Sequence, residues 1–223
     1  MRLRVVVYNV HGFRAGVRRV AQAIADEWPD VVLLNEVRFR WRLRRFAGLL
    51  GMERASGLRL FRPVTNAVLV RSPWRIVGRR LQRFTWNRRK QRGVVIGRAG
   101  HAGFRMTLAS VHLGVSDGER VAHAKELTDA LAGITTPVLL GGDLNETPDR
   151  PAAAWVAERY WDAFAGAGEG PGETFPTADP RARIDYLLVS EGVRVERAWV
   201  GSGPKLLEAS DHLPVYAEVE IDT

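Results

Sequence analysis

The stretch Gly141-Gly142-Asp143-Leu144-Asn145 ends an apolar run, Pro137-Val138-Leu139-Leu140, with a carboxylate and an amide two residues apart. Two glycines suit a tight turn, and in extended backbone residues i and i+2 project to the same side. Asp143 and Asn145 are therefore expected to converge on one small target at the carboxyl end of a buried strand. A carboxylate placed there can orient and deprotonate water, or hold it for a nearby base. An amide can donate to a non-bridging oxygen. Phosphate-ester cleavage needs that pair together with a hard cation and further donors for the phosphoryl charge. Gly-Gly-Asp also occurs in ordinary turns, and Asn145 by itself reads equally as an Asx-turn leading into Glu146-Thr147-Pro148.

Polar residues recur where other apolar runs end. They are Tyr8-Asn9-Val10-His11-Gly12, Leu34-Asn35-Glu36-Val37, Val111-His112-Leu113, Arg183-Ile184-Asp185-Tyr186 and Ser210-Asp211-His212-Leu213-Pro214. Glu36 is the best candidate cation ligand, its bland alternative being a surface ion pair with Arg38. Asn9 could support the same ion through its carbonyl oxygen, bind phosphate through its amide, or simply cap a turn. The oxygen-rich inventory, without any cysteine, favours Mg²⁺ or Mn²⁺ over Zn²⁺. His212 is the candidate proton holder, because a histidine fixed by a carboxylate keeps one tautomer and can hold a proton against a phosphate oxygen. Neighbouring strand residues project to opposite sides, so Asp211 and His212 must sit at a turn to share a site.

The elements that would position these groups alternate along the chain. Strands are expected at Leu3 to Tyr8, Asp30 to Leu34, Asn66 to Val70, Arg75 to Phe84, Gly93 to Gly97 and Phe104 to His112, with breaks at Ser72-Pro73, Arg88-Arg89 and Gly100. Another is expected before Asp143. Three late strands follow at Ile184 to Val189, Val193 to Val200 and Pro214 to Glu220. Val17, Val20, Ala21 and Ile24 carry helical spacing, as do Leu43, Phe46, Ala47 and Leu50 within Trp41 to Leu50. Further helices are expected from about Gly118 to Leu131 and from Ala152 to Arg159. Gly166 to Asp179 reads as a long loop. No repeat or linker divides residues 1–223, so one α/β (α+β) domain of two packed sheets with outer helices is expected.

The six motifs, in their order and spacing from Asn9 to Val215, resemble the endonuclease/exonuclease/phosphatase superfamily, which includes DNase I-like nucleases, abasic-site endonucleases and sphingomyelinases. The resemblance implies a DNase I-like four-layer α/β/β/α sandwich whose sheets are mostly antiparallel. It implies that Asp185 orients His212, that Asp211 is a second metal-associated carboxylate, and that Asp143 and Asn145 carry the water-activating and oxyanion roles. It also implies that His112 contacts the scissile phosphate and that Asn66 occupies a phosphate-site position. Four positions depart from the family pattern. Asn35 stands where Gln is usual, and His11 where abasic-site endonucleases carry an acid. Val111 replaces a polar residue, and Thr65 stands where Gly commonly precedes Asn66.

Composition bears on the partner. Lys+Arg 33 against Asp+Glu 25 leaves a net charge of +8, which attracts anions at long range. Two basic runs carry aromatics: Arg38 to Arg45 with Phe39 and Trp41, and Thr85 to Arg92 with Trp86, Arg88, Arg89 and Arg92. Such mixtures suit backbone phosphates and stacked bases. The expected activity is a Mg²⁺-dependent nuclease, DNA favoured, acting as a monomer. A phosphatase or phosphodiesterase of small-molecule, inositol or lipid phosphates is the alternative, and a catalytically silent nucleic-acid-binding module the third reading. The start, Met1-Arg2-Leu3-Arg4-Val5, lacks the long apolar core of a secretory signal, and no run reaches membrane-spanning length. The expected location is cytoplasmic, without membrane insertion.

Overall fold

The computed structural model describes residues 1–58, 63–85 and 90–222. In chain order the first half comprises β1 (Arg2–Asn9), α1 (Val17–Ala25), β2 (Val31–Asn35), α2 (Arg40–Leu50), β3 (Met52–Ser56), β4 (Ala67–Arg71), β5 (Arg75–Arg83), β6 (Gly93–His101) and β7 (Phe104–His112). The second half comprises α3 (Asp117–Leu131), β8 (Val138–Asp143), α4 (Pro151–Ala157), β9 (Trp161–Asp162), α5 (Ala163–Ala167), β10 (Gly168–Glu169), β11 (Asp185–Val189), β12 (Val193–Val200), α6 (Pro204–Leu207) and β13 (Val215–Ile221).

Alternation along the strands builds the layers. In β1, Val5 and Val7 face the second sheet and, with Leu33 and Val68 of their own sheet, cluster with Leu108, Leu139 and Leu187 of the other. Val6 and Tyr8 face outward, against Val20 and Ile24 of α1 and Leu43 and Phe46 of α2. On the other sheet, Val94, Ile96, Val111 and Leu140 pack under Ala124, Leu127 and Leu131 of α3. The result is the expected helix–sheet–sheet–helix sandwich. Its sheets run β10-β12-β13-β1-β2-β4-β3 and β5-β6-β7-β8-β11-β9. Most pairings are antiparallel, while β1–β2, β7–β8 and β10–β12 are parallel.

Register sets the site. Asn9 stands opposite Asn35 across β1–β2. In the second sheet His112 stands opposite Asp143, and Asp143 opposite Asp185. Three separate stretches of chain thus deliver polar side chains to one level of one sheet.

Three expectations are corrected by the backbone. β6 runs through Gly100 to His101 and reverses at Ala102-Gly103, both at positive φ (48° and 85°), the geometry that matches strand twist in a two-residue hairpin. Gly141 and Gly142 do not form a turn; they lie within β8. A Cβ on Gly141 would stand 2.4 Å from Val7 Cγ2, and one on Gly142 1.8 Å from the Val111 carbonyl oxygen. These glycines permit close approach of chain to chain. The loop expected at Gly166 to Asp179 begins only after Glu169, because the Asp162 side chain accepts from the N–H groups of Phe164 and Ala165 and starts α5, which β10 follows.

Candidate active site

Asp143, at the end of β8 and 2 % exposed, is the hub. Asn9 Nδ2 donates to its Oδ2 at 3.0 Å, and His112 Nε2 lies 3.2 Å from the same oxygen. The Asn145 N–H donates to Oδ1 at 2.8 Å. His212 Nε2 lies 3.9 Å from Oδ2 and 3.4 Å from Asn9 Nδ2. His212 Nδ1 is 2.8 Å from Asp185 Oδ2, so the carboxylate fixes Nδ1 as the protonated nitrogen and turns Nε2 toward Asp143. Phe175 packs on the same imidazole, ring centroids 4.8 Å apart.

The electrostatics follow from burial and neighbours. Burial alone would raise the Asp143 carboxyl, but His112, then His212 and the Asn145 N–H, hold it well below the usual carboxylate range. Burial pushes the Asp185 carboxyl up, and Asp143 adds to that, against the opposing pull of His212. Burial would depress His212, yet Asp185, then Asp143 and Asp211, raise it to about 9. At neutral pH the centre therefore holds an ionised Asp143 beside an imidazolium.

Secondary contacts fix the strand ends. Asn35, fully buried, donates through Nδ2 to the Val111 carbonyl at 2.7 Å and accepts the Asp143 N–H on Oδ1 at 2.9 Å. It thereby ties β2 of one sheet to β7 and β8 of the other. The Thr174 hydroxyl accepts the Asp185 N–H at 3.2 Å. Glu146 accepts from Arg120 Nε at 3.0 Å and from the Ala152 and Ala153 N–H groups at 2.6 and 3.0 Å, clamping the loop after Asn145. The pattern of apolar runs points to none of Asn35's inter-sheet role, Thr174 or Glu146, because each serves a neighbour distant in sequence.

The remaining expected residues divide. Glu36 follows β2 at φ 57°; its carbonyl accepts the Gly12 N–H at 3.0 Å, and among the described residues its carboxylate has no partner. Asp211 lies in a bend before β13, where its Oδ1 is 3.3 Å from His11 Nδ1, so the turn needed to let both Asp211 and His212 face inward is present. Arg38 is exposed and lies across Gly12, where a Cβ would stand 2.9 Å from its Cδ. Arg92 is buried and its Nε has no hydrogen-bond partner among the described residues. Burial lowers this guanidinium, with Asp143 and Glu36 close enough to oppose the shift. Trp86, Arg88 and Arg89 lie outside the described residues.

Three placements differ from expectation. Asn145 is at φ 54°, not extended. It reaches Asp143 through its own N–H, and its Nδ2 donates to the Leu113 carbonyl at 3.2 Å. Asn66 spends its amide on the Gly93 and Ser110 carbonyls, at 3.0 and 2.9 Å. It is a buried tie between sheets. His112 is 2 % exposed and directs Nε2 at Asp143 Oδ2, 3.2 Å away.

Asp143, Asp185 and His212 offer ligand atoms all within 4.8 Å of one another, and this buried group could hold a metal ion. Hydrogen bonds engage both Asp143 oxygens, Asp185 Oδ2 and His212 Nδ1, whereas Asp185 Oδ1 and the Glu36 carboxylate have no partner among the described residues. Among the described residues no helix is long and apolar enough to cross a membrane.

A model described as the Endonuclease/Exonuclease/phosphatase family matches residues 6–212. Among solved structures, an endonuclease/exonuclease/phosphatase from Bacteroides vulgatus aligns with TM-score 0.86 at 17% identity, over 100% of both chains. A mannosyl-6-phosphatase from Bacteroides thetaiotaomicron aligns with TM-score 0.83 at 20% identity, over 98% of this chain and 100% of that one. Humanized D. rerio TDP2 aligns with TM-score 0.77 at 18% identity, over 98% and 99%. At such identities the likeness carries the fold. No curated protein sequence matches the chain significantly.

Proposed function

The chain belongs to the endonuclease/exonuclease/phosphatase family of phosphoesterases, and we propose that it is a Mg²⁺-dependent phosphodiesterase, acting as a single domain, that cleaves nucleic acid by in-line attack of water. The observation that carries this reading is the ionised Asp143 held by Asn9 and His112 beside an imidazolium fixed by Asp185. Among the described residues Asp143 Oδ1 accepts only the Asn145 N–H, which leaves a lone pair for water. The water oxygen forms the new bond to phosphorus as the opposite P–O bond breaks, and its proton passes to Asp143. His212 Nε2–H, and the buried Arg92 guanidinium near Asp143 and Glu36, stabilise charge on the non-bridging oxygens. The leaving oxygen takes its proton from solvent.

Glu36, with Asp211 and the Asn9 carbonyl oxygen, would hold the cation. The fit rests on the donor set: carboxylate and amide oxygens without a thiolate, and a strand-end carboxylate, Glu36, that has no partner among the described residues, as suits a hard cation. Such an ion supplies charge neutralisation on the phosphoryl oxygens and acidifies bound water.

The net charge of +8 and the Arg38 rim support a polyanionic substrate. A phosphomonoesterase is the second reading, supported by Arg92, whose unpaired Nε suits a dianionic phosphate, and by the structural likeness to a mannosyl-6-phosphatase. Supercoiled plasmid incubated with Mg²⁺ separates them: nicking is expected, and EDTA or Glu36→Ala should abolish it. Turnover of sugar phosphates with intact plasmid would transfer the assignment to the phosphatase. Asp143→Asn should lower turnover by roughly 10²- to 10⁴-fold, the usual contribution of a positioned acid–base group.

A further inference from the structure

We infer that the concavity between the first turns of α1 and α2 is a second phosphate-binding site, which grips a polynucleotide strand beside the reacting phosphate. The inference rests on the nuclease reading and names how the polymer is held.

The cavity encloses about 540 Å³, within the range of ligand sites. Arg14, Arg18, Arg19, Arg42 and Arg45 line it with Trp41, and its lining contains no carboxylate. Among the described residues Arg14, Arg18 and Arg45 make no ion pair, while Arg19 reaches Glu208 only at 3.6 Å. Neither helix has an acidic residue in its first turn, although the positive end of the helix dipole ordinarily favours one. Like charges gathered there repel one another, and an entering anion relieves that repulsion.

Arg42 shows how the site is built. Its Nη1 donates to the Gly12 carbonyl at 2.7 Å, and its guanidinium lies 5.1 Å from the Phe39 ring centroid and 5.2 Å from that of Trp41. Both rings are nevertheless open, Phe39 at 49 % and Trp41 at 59 % exposure. An open ring beside guanidinium groups offers a stacking face to a base while the arginines take its phosphate. This combination favours a polynucleotide over a lone inorganic anion.

Continuity with the catalytic centre is covalent. Phe13 and Arg14 continue the chain that carries Asn9, and Trp41 and Arg42 the chain that carries Glu36. Those two segments are joined by the Gly12 N–H to Glu36 carbonyl bond at 3.0 Å, with Arg38 lying across Gly12. A strand entering the mouth can therefore lay a flanking phosphate in the arginine concavity.

The test compares wild type with the double variant Arg18→Ala/Arg45→Ala, and with Arg105→Ala as a control that removes an exposed arginine at the opposite end of β7 from His112. Two quantities are read. One is kcat/KM for a short labelled DNA or RNA strand divided by kcat/KM for bis(4-nitrophenyl) phosphate. The other is the slope of log Kd for the strand against log[KCl]. In the double variant the ratio should fall at least about tenfold, and the slope should flatten by roughly 1 to 2, since each lost phosphate contact removes about 0.7 to 0.9. Arg105→Ala should alter neither. Cleavage by wild type with an unchanged ratio and slope in the double variant would overturn the second site and leave the nuclease reading standing. If wild type hydrolyses the small diester but cuts no strand, the nuclease reading fails, and binding then judges the site: weakened strand binding in the double variant retains it, and equal or absent binding overturns it. Loss of affinity for anionic vesicles without loss for the strand would also overturn it.

Discussion

Replacing Asn35 by alanine is expected to destabilise the protein by about 4 kcal/mol and to lower turnover as well. The side chain is fully buried between the sheets. It satisfies the Val111 carbonyl at 2.7 Å and the Asp143 N–H at 2.9 Å. Alanine strands both backbone groups away from water, and each unsatisfied buried group costs about 1 to 3 kcal/mol. Two together give roughly 2 to 6 kcal/mol by the same principle, hence the central value. Asp143 would feel the loss directly, because the lost bond is to its own N–H and the other fixes the strand end that carries His112. Urea denaturation reads the effect: with a slope near 3 kcal/mol/M for a chain of this size, the midpoint should fall by more than about 1 M. Turnover of bis(4-nitrophenyl) phosphate, measured well below that midpoint, should fall too. A loss of stability under about 1 kcal/mol with undiminished turnover would refute the reasoning, since orphaned backbone groups do not come that cheaply.

The other expectations follow from single contacts. Gly142→Ala places a Cβ 1.8 Å from the Val111 carbonyl oxygen at φ 153°, so it should cost at least about 3 kcal/mol; a wild-type denaturation midpoint would contradict this. His212 is raised to about 9 by its carboxylates, and catalysis here needs its protonated form, so activity should decline as pH rises through about 9. Asp185→Asn should move that alkaline limb down toward or below the ordinary histidine value of about 6.5, and a limb unmoved in a pH–rate profile would assign the shift to Asp143 and Asp211 instead. Glu146→Ala removes one partner of a buried ion pair, Arg120 Nε to Glu146 Oε1 at 3.0 Å, together with the acceptor at the start of α4. A loss of roughly 3 to 5 kcal/mol is expected by thermal denaturation, and a cost under 1 kcal/mol would mean that water replaces the carboxylate.

Much of the candidate site is legible in the sequence, for a local reason. A strand announces itself by the alternation of apolar side chains, and a polar residue where that alternation stops marks a strand end. Asn9, Glu36, His112, Asp143 and Asp185 all stand at or just beyond such ends, and the Asp211-His212 pair precedes the last strand. The oxygen-rich set and the +8 charge indicated phosphate chemistry and an anionic partner in the same way, by residue type alone.

What only the tertiary structure decided is which hydrogen-bonding groups are already used. Strand order places His112 and Asp185 on either side of Asp143, so His112 Nε2 meets the carboxylate. Packing of one sheet on the other engages the Asn66 amide with two carbonyls, makes Asn35 a tie between sheets, and turns Gly141-Gly142 from a turn into a point of close approach. Side-chain alternation is written in neighbouring residues and can be read one segment at a time. The partner that consumes a donor, or crowds a Cβ, belongs to a segment dozens of residues away, and its identity exists only once long-range register and sheet packing have been chosen.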